Sequence, residues 1–366
     1  MLLGLALLPL ARPPLALRAV PLIIDTDIGG GGCRDVDDVG AICVANALAD
    51  NGEAELLAIV QNTRPSEGAG VISVLNHWYG RDKLPIGAYR EPHAPHQPPQ
   101  IDPTQRIQKR FWDGDSLLPD PLSYVPDLVS NWPSQIKNSS QVDSAVDVYR
   151  RVLASQPDHA VVISSIGLLT NLEALLQSGP DGHSRLNGYD LFSRKVRLLS
   201  VMGGRYPNSS LGCECNFCAI YHGGADHGIA SRAAAYVIAH LPPSVQVIYS
   251  GVEVGLEVQS GGRLSDCAPP ANPCRQAYID YEGGPRRSRY SWDPLTTLAA
   301  VRGVHAASCR ECKGCDGFNM VNGTTGDNSW SRGTATNQSY LVLTDAKAAG
   351  EMLDQLMCQP PKRRLS

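Results

Sequence analysis

The sequence contains no long apolar run. No stretch of the 366-residue chain reaches the roughly 18 consecutive apolar residues that a membrane-spanning helix needs. This absence argues against a chain embedded in a membrane, whereas 43% hydrophobic residues suffice for the core of one large domain or two smaller ones. The short apolar segment at residues 1–20 is interpreted as a candidate signal peptide. A secreted or lumenal location is therefore expected, with a cytoplasmic location as the alternative.

The chain also has no excess of positive charge. Its 32 lysines and arginines stand against 36 aspartates and glutamates, which gives a formal charge of −4. Broad, non-specific attraction to nucleic acid or to an anionic membrane is therefore not expected. The basic tail at 359–366 is too short to change this and is predicted to be solvated.

Several common catalytic motifs are missing. Ser164 and Ser165 follow apolar residues but have no G-x-S-x-G context, so a serine hydrolase is disfavoured. The four glycines at 29–32 match neither a P-loop nor a dinucleotide-binding motif. We expect them to give a loop conformational freedom.

Short apolar segments alternate with helical patterns along most of the chain. The pattern predicts strands at 21–25, 54–60, 84–89, 160–166, 195–204, 245–251 and 339–344, and helices at 39–50, 68–80, 144–156, 169–178, 228–241, 293–303 and 345–357. Residues 90–140, 259–290 and 305–335 are predicted to be loops. Such alternation indicates an α/β fold with a single doubly wound, mostly parallel sheet and long loop insertions, covering residues 21–358.

An unusual density of carboxylates follows the first predicted strand. Five aspartates lie within fourteen residues in "DTDIGGGGCRDVDD" (25–38). An acidic turn with a helix cap explains one or two of them. A site for a hard divalent cation explains the whole set better, because Ca²⁺ and Mg²⁺ prefer oxygen ligands.

This segment resembles the start of the inosine–uridine-preferring nucleoside hydrolases, in particular members with D-T-D-x-G-x-D-x-D-D. Further segments resemble family motifs in the same order: "IGLLTN" (166–171), "VMGG" (201–204), "ECNF" (214–217), "YSGVEVG" (249–255) and "SWDPLTTLAAVRG" (291–303). A dehalogenase-type phosphatase also begins with D-x-D, but Gly29 and the later motifs disfavour it.

The resemblance implies hydrolysis of the N-glycosidic bond of a ribonucleoside or related ribosyl compound by a Ca²⁺-bound water. Asp27 would deprotonate this water, and Asp25 would orient the loop. The implied ligands of Ca²⁺ are Asp27, Asp38, Asp293 and the carbonyl of Ile166. The implied substrate-binding residues are Asp37, Asn62, Met202, Glu214, Asn216 and Trp292. The partner would be a small-molecule nucleoside or ribosyl substrate, with no nucleic acid or membrane partner, and a homo-oligomer stays an open alternative to a monomer.

Trp292 departs from the family pattern. Many members have a histidine at this place, where it helps to protonate the leaving base, and an indole cannot do so near neutral pH. Trp292 is interpreted either as a stacking partner for a purine or as a packed aromatic. The rival function is therefore a secreted protein that binds Ca²⁺ or a ribosyl compound without turnover.

The eleven cysteines indicate either disulfides or a zinc site. Most lie in the clusters "CECNFC" (213–218), "CAPPANPC" (267–274) and "CRECKGC" (309–315), while Cys43 and Cys358 are interpreted as solitary thiols. Clusters in loops rich in glycine and proline favour disulfides formed in an oxidising compartment. The C-x-x-C-x-x-C spacing leaves a zinc site as the alternative.

Overall fold

The predicted strands assemble into one large sheet. A computed structural model describes residues 18–29, 35–64, 66–90, 124–208, 212–219 and 227–362. The strands are β1 Val20–Thr26, β2 Ala54–Gln61, β3 Ile86–Ala88, β4 Asp143–Ser144, β5 Val161–Ile166, β6 Val196–Met202, β7 Gln246–Ser250, β8 Gln259–Ser260, β9 Arg289–Tyr290, β10 Cys309–Glu311, β11 Gly317–Val321, β12 Asn328–Arg332 and β13 Gln338–Leu343. Nine of them form the main sheet, in the order β10-β13-β7-β6-β5-β1-β2-β3-β4.

The helices cover both faces of this sheet. They are α1 Asp37–Asp50, α2 Gly68–Trp78, α3 Tyr124–Asn131, α4 Ala145–Ser155, α5 Thr170–Gln177, α6 Gly188–Lys195, α7 Cys215–Cys218, α8 His227–Ala239, α9 Val252–Gly255, α10 Leu264–Cys267, α11 Pro273–Glu282, α12 Trp292–Arg302 and α13 Ala346–Met357. Leu22 and Ile24 of β1 belong to the core that contains α1 and α12, whereas Ile23 belongs to the core on the other face. Burial of both faces explains why β1 is a continuous apolar run.

The direction of the winding reverses at β1. All pairings in the main sheet are parallel except that of β10 with β13. The chain passes from β1 to β2, β3 and β4 on one side, and later to β5, β6 and β7 on the other. In open parallel sheets, ligands bind at the carboxyl ends of strands beside such a reversal. The acidic loop begins there, directly after β1.

The predicted α/β fold with a doubly wound, mostly parallel sheet is confirmed. The expectation of loops at 259–290 and 305–335 was wrong in part, because these segments contain α10, α11, β10 and the antiparallel β11–β12 hairpin. Inside the insertion predicted at 90–140, α3 and a 3₁₀ turn at Ser139–Gln141 are described. Its residues 91–123 lie outside the described part of the chain.

The predicted terminal segments are only partly described. Residues 1–17 of the candidate signal peptide and residues 363–366 of the tail lie outside the described residues. Val20, predicted as the last signal residue, begins β1. The backbone N–H of Lys362 donates to Asp50 at 2.9 Å. None of the described helices combines the length and apolar character that crossing a membrane requires.

All the described cysteines except Cys309 are disulfide-bonded. Four of the pairs are Cys43–Cys274, Cys213–Cys218, Cys267–Cys358 and Cys312–Cys315. The interpretation of Cys43 and Cys358 as solitary thiols was therefore wrong, because each pairs with a cysteine far along the chain. The "CRECKGC" cluster contains one disulfide and the buried free thiol of Cys309, whose pKa is raised to about 11 by burial. This pairing takes up the thiolates that a zinc site would need.

Candidate active site

Four carboxylates converge at the carboxyl edge of the sheet. They belong to Asp35, Asp37 and Asp38 at the start of α1, and to Asp293 at the start of α12. One oxygen of each lies within 4.8 Å of the others, and Asp37, Asp38 and Asp293 are at most 5% exposed. Helix α12 packs against α1, which brings these distant segments together.

Hydrogen bonds hold this carboxylate cluster in place. The Thr26 hydroxyl and the backbone N–H of Asp27 both donate to Asp38. The backbone N–H of Asp293 donates to Oδ2 of Asp37 at 3.0 Å. The start of α12 is therefore bonded to the first turn of α1.

The electrostatics of the cluster are strongly unfavourable without a counter-charge. Burial, followed by repulsion from neighbouring carboxylates, raises the pKa of Asp37, Asp38 and Asp293 well above its ordinary value. Three buried carboxylates with oxygens this close offer only hard oxygen ligands, and a divalent cation would relieve their repulsion. The donor set therefore fits a cation such as Ca²⁺.

Two of the predicted metal ligands lie inside this cluster, and the other two lie at the ends of the neighbouring strands β1 and β5. Asp38 and Asp293 are members, whereas Asp27 is not, although its negative charge helps to raise the pKa of both. Ile166 ends β5 and pairs in register with Thr26 of β1. Its carbonyl is thus one strand away from the loop that carries Asp27, and its role as a ligand stays a prediction.

Gly167 allows the strand ends of β1 and β5 to approach closely. A Cβ at this position would lie 2.6 Å from the backbone nitrogen of Asp27 and 2.7 Å from the side chain of Asn62. Any larger residue would push the Asp27 loop away from β5. The glycine in "IGLLTN" is therefore required by packing at the site itself.

Asp25, near the end of β1, lies in a fully buried network. Its carboxylate accepts hydrogen bonds from Tyr149 at 2.7 Å and from Asn62 and Asn171 at 3.0 Å each. Burial nevertheless raises its pKa to about 7. These contacts fit the expectation that Asp25 orients the loop through its neighbours.

Asn62 belongs to this network rather than standing alone. Its Nδ2 donates to Asp25, and its Oδ1 accepts the backbone N–H of Leu168 at 3.1 Å. The side chain thus connects the ends of β1, β2 and β5. The predicted contact between Asn62 and a ribose stays a prediction.

Two motifs that are separate in sequence form one unit after β6. Glu214 accepts the backbone N–H of Gly204 at 2.9 Å and that of Asn216 at 2.8 Å, while Asn216 donates to the carbonyl of Met202 at 3.1 Å. The ring of Phe217 occupies the space where Gly203 would carry a side chain. The "VMGG" and "ECNF" motifs are therefore a strand end and the turn folded over it.

A disulfide braces this turn. Cys213 and Cys218 are paired across α7, so the bond encloses Glu214 and Asn216. Burial raises the pKa of Glu214 to about 7, although three backbone N–H groups oppose the shift. The three predicted sugar-binding residues of this unit are thus buried and held at the same edge of the sheet as the carboxylate cluster.

Trp292 is tightly packed beside the site. Its indole N–H donates to the carbonyl of Val252 at 2.8 Å, and the absence of a side chain at Gly255 makes room for its ring. Tyr290 lies 5.3 Å away between ring centroids. The structure therefore shows Trp292 as a packed aromatic side chain. Stacking of its ring on a base stays a prediction.

Neither Arg289 nor Glu253 was selected from the sequence. Arg289 is paired with Asp35 at 3.1 Å, and Glu253 in α9 accepts the backbone N–H of Tyr206 at 3.4 Å. Burial raises the pKa of Glu253 to about 7. The motif "YSGVEVG" was the available signal for Glu253, while nothing marked Arg289 among the many arginines.

Several solved structures share the fold of this chain at low sequence identity. No protein-family model matches the sequence, and no curated protein matches it significantly. A plant nucleoside hydrolase, PpNRh1, superposes with a TM-score of 0.61 at 17% identity, over 93% of this chain and 99% of that one. The fold is that of the nucleoside hydrolases.

Two further structures support this assignment of the fold. An inosine–guanosine nucleoside hydrolase matches with a TM-score of 0.60 at 20% identity, over 94% of this chain and 99% of that one. The type III effector protein XopQ, solved in complex with adenosine diphosphate ribose, matches with a TM-score of 0.59 at 14% identity, over 95% of each chain. Fold and connectivity are shared over nearly the whole length of all three.

Proposed function

We propose that this protein is a Ca²⁺-dependent nucleoside N-ribohydrolase, which cleaves the N-glycosidic bond of a ribonucleoside or a related ribosyl compound. The observation that carries the proposal is the convergence of buried carboxylates at the switch point of a nucleoside hydrolase fold. Such a concentration of negative charge suits both a hard cation and the positive charge that develops on the ribose ring during cleavage.

The residues have separate roles in this proposal. Asp27 takes the proton from the attacking water, and Asp37 binds ribose hydroxyls. Asp27, Asp38, Asp293 and the carbonyl of Ile166 would hold the cation. The bound cation would supply Lewis acidity. Met202, Glu214 and Asn216 bind the sugar from the β6 side, where their hydrogen bonds hold them rigid.

Departure of the base has no obvious acid at position 292. Trp292 carries no exchangeable proton of suitable pKa, and its N–H is already donated to Val252. In the proposal the indole acts only by stacking on the leaving base. Purines, which offer a larger face than pyrimidines, are therefore the favoured substrates.

The disulfides support the proposed secreted or lumenal location. Disulfides of this number persist in oxidising compartments and are rare in the cytosol. The substrate would then be an extracellular or lumenal nucleoside.

A ribose-release assay tests the function. Protein with intact disulfides is incubated with purine and pyrimidine nucleosides and with ADP-ribose, with Ca²⁺ or with a chelator, and free reducing sugar is measured. Release that needs Ca²⁺ is expected from at least one nucleoside. Asp158→Asn, an exposed aspartate far from the cluster in sequence, serves as the matched control for Asp27→Asn.

The rival function predicts a different result. A protein that only binds Ca²⁺ and a ribosyl compound would show ligand-dependent stabilisation in the same mixtures but release no sugar. That combination would contradict the hydrolase proposal.

A further inference from the structure

Arg289 brings a positive charge to the edge of the acidic site. Its side chain is only 8% exposed, and its Nη2 donates to Oδ2 of Asp35 at 3.1 Å. The guanidinium also lies 5.2 Å from the ring centroid of Tyr281, 5.6 Å from that of Tyr290 and 5.3 Å from that of Trp292. The three rings and the carboxylate together fix the position of this cation.

Asp35 is engaged at both of its carboxylate oxygens. Oδ2 accepts from Arg289, and Oδ1 accepts the backbone N–H of Asp37 at 3.4 Å. Its backbone carbonyl accepts the hydroxyl of Tyr124 at 3.0 Å. Asp35 belongs to the carboxylate cluster by distance, but its oxygens already have donors.

The pair joins the two segments that supply the other carboxylates. Asp35 precedes Asp37 by two residues, and Arg289 precedes Asp293 by four, although 254 residues separate the two partners. The hydrogen bond from the backbone N–H of Asp293 to Asp37 connects the same two segments. Separation of the two segments would therefore break both contacts.

We infer that Arg289 and Asp35 form a clamp that positions the cation site, and that Asp35 anchors the loop rather than binding the ion. Arg289 acts through Asp35 to hold the first turn of α1 against the start of α12, so that Asp37, Asp38 and Asp293 converge. The inference rests on the cation site in the proposed function. It assigns roles to two residues that the sequence motifs left without one.

The opposite role for Arg289 makes a distinct prediction. An arginine that merely competes with the metal ion would weaken its binding by repulsion, and its removal would tighten binding. A clamp has the opposite sign, because its removal loosens the geometry of the ligands. The direction of the change in affinity therefore separates the two roles.

The test measures cation affinity directly. Ca²⁺ binding is followed by calorimetry, and Tb³⁺ binding by luminescence excited through the protein's tryptophans, for unmodified protein, Arg289→Gln, Asp35→Asn and the double variant. Each variant is expected to bind the ion about 10- to 100-fold more weakly, the range found when residues that orient metal ligands are changed. Because the two residues act as one unit, the double variant should have the same affinity for the ion as the more affected of the two single variants.

Arg286→Gln is the matched control. Arg286 lies in the same segment and is paired with Asp266 at 2.8 Å, but both side chains are exposed. Its affinity for the ion should equal that of the unmodified protein. Thermal unfolding in chelator checks that each variant is folded, and Asp35→Asn probes the same clamp without removing a large buried side chain.

The outcomes are separable. Tighter binding in Arg289→Gln, or unmodified affinity in the double variant, would overturn the clamp in favour of simple repulsion. Additive losses in the double variant would show that Asp35 binds the ion directly and would also overturn it, as would unchanged affinity in Asp35→Asn. If unmodified protein binds neither ion, the cation part of the proposed function fails first and the inference fails with it.

Discussion

The side-chain Nδ2 of Asn216 donates a hydrogen bond to the carbonyl oxygen of Met202 at 3.1 Å, and both residues are buried. This bond fixes the turn after Cys213 on the end of β6.

Asn216→Ala leaves the carbonyl without this donor and loosens the turn on the proposed sugar side. We expect KM for the preferred nucleoside to rise about tenfold, equivalent to one buried hydrogen bond, with a smaller change in kcat. Steady-state kinetics measure both values, and Asn131→Ala, an exposed asparagine in α3, is the control. A fall in kcat at constant KM would contradict this assignment.

Asp27→Asn tests the proposed base. The substitution keeps the size of the side chain and removes the group that accepts the proton. General base catalysis contributes about 10²- to 10⁴-fold, so kcat should fall by that amount while the fold is retained. Single-turnover ribose release measures the loss, and activity within threefold of unmodified protein would exclude Asp27 as the base.

Asp293→Asn separates stability from cation binding. Without a cation, Asp293 is buried and repelled by Asp37 and Asp38. Removal of its charge should therefore raise Tm in chelator by roughly 1–2 °C, the shift expected from about 1 kcal/mol in a domain of this size. At the same time, the increase in Tm that Ca²⁺ gives to unmodified protein should shrink. Calorimetric scans with and without Ca²⁺ measure both effects, and a lower Tm in chelator would argue against repulsion at this site.

Stability in chelator should depend on pH in a defined direction. The pKa of Glu214 and of Glu253 is raised from 4.5 to about 7, first by burial, so between these values the folded state binds more protons than the unfolded state. The free energy of unfolding must then decrease as the pH rises through this window. Tm should be higher at pH 5 than at pH 8, and Glu214→Gln should flatten the slope. A Tm that rises from pH 5 to pH 8 would contradict the raised pKa values.

The disulfide between Cys43 and Cys274 should contribute substantially to stability, because it joins residues 231 positions apart. Replacing both cysteines by alanine should lower the free energy of unfolding by about 2–5 kcal/mol. Cys309→Ala removes a buried thiol without breaking a crosslink and is the control. Denaturant titration measures both changes, and equal losses would show that packing rather than the crosslink is responsible.

The sequence was sufficient to predict the sheet and three members of the carboxylate cluster, Asp37, Asp38 and Asp293. Continuous apolar segments such as β1 and β5 are buried on both faces, so their positions followed from hydrophobicity alone. Asp38 and Asp293 were selected because their motifs are local. The β11–β12 hairpin was missed because β12 (NSWSR) has a single apolar residue, and because in β11 Phe318 and Met320 are exposed while Asn319 is buried.

Local sequence patterns did not predict the disulfides and the ion pair that join distant parts of the chain. Cys43 and Cys358 stand alone in the sequence, yet both pair with cysteines of the 267–274 cluster. The ion pair of Asp35 with Arg289 depends on how α1 packs against α11 and α12. Such contacts are set by the tertiary fold, and no local property of either residue indicates them.

The short segment from Cys267 to Cys274 is bonded through its two ends to the first helix and, via Cys358, to the end of the last helix. A cut anywhere between Cys43 and Cys267, or between Cys274 and Cys358, therefore leaves the pieces covalently joined. A nicked molecule would migrate as one species on a non-reducing gel and separate into fragments only after reduction. The two crosslinks would therefore keep the first and last helices covalently attached to each other after the backbone has been broken.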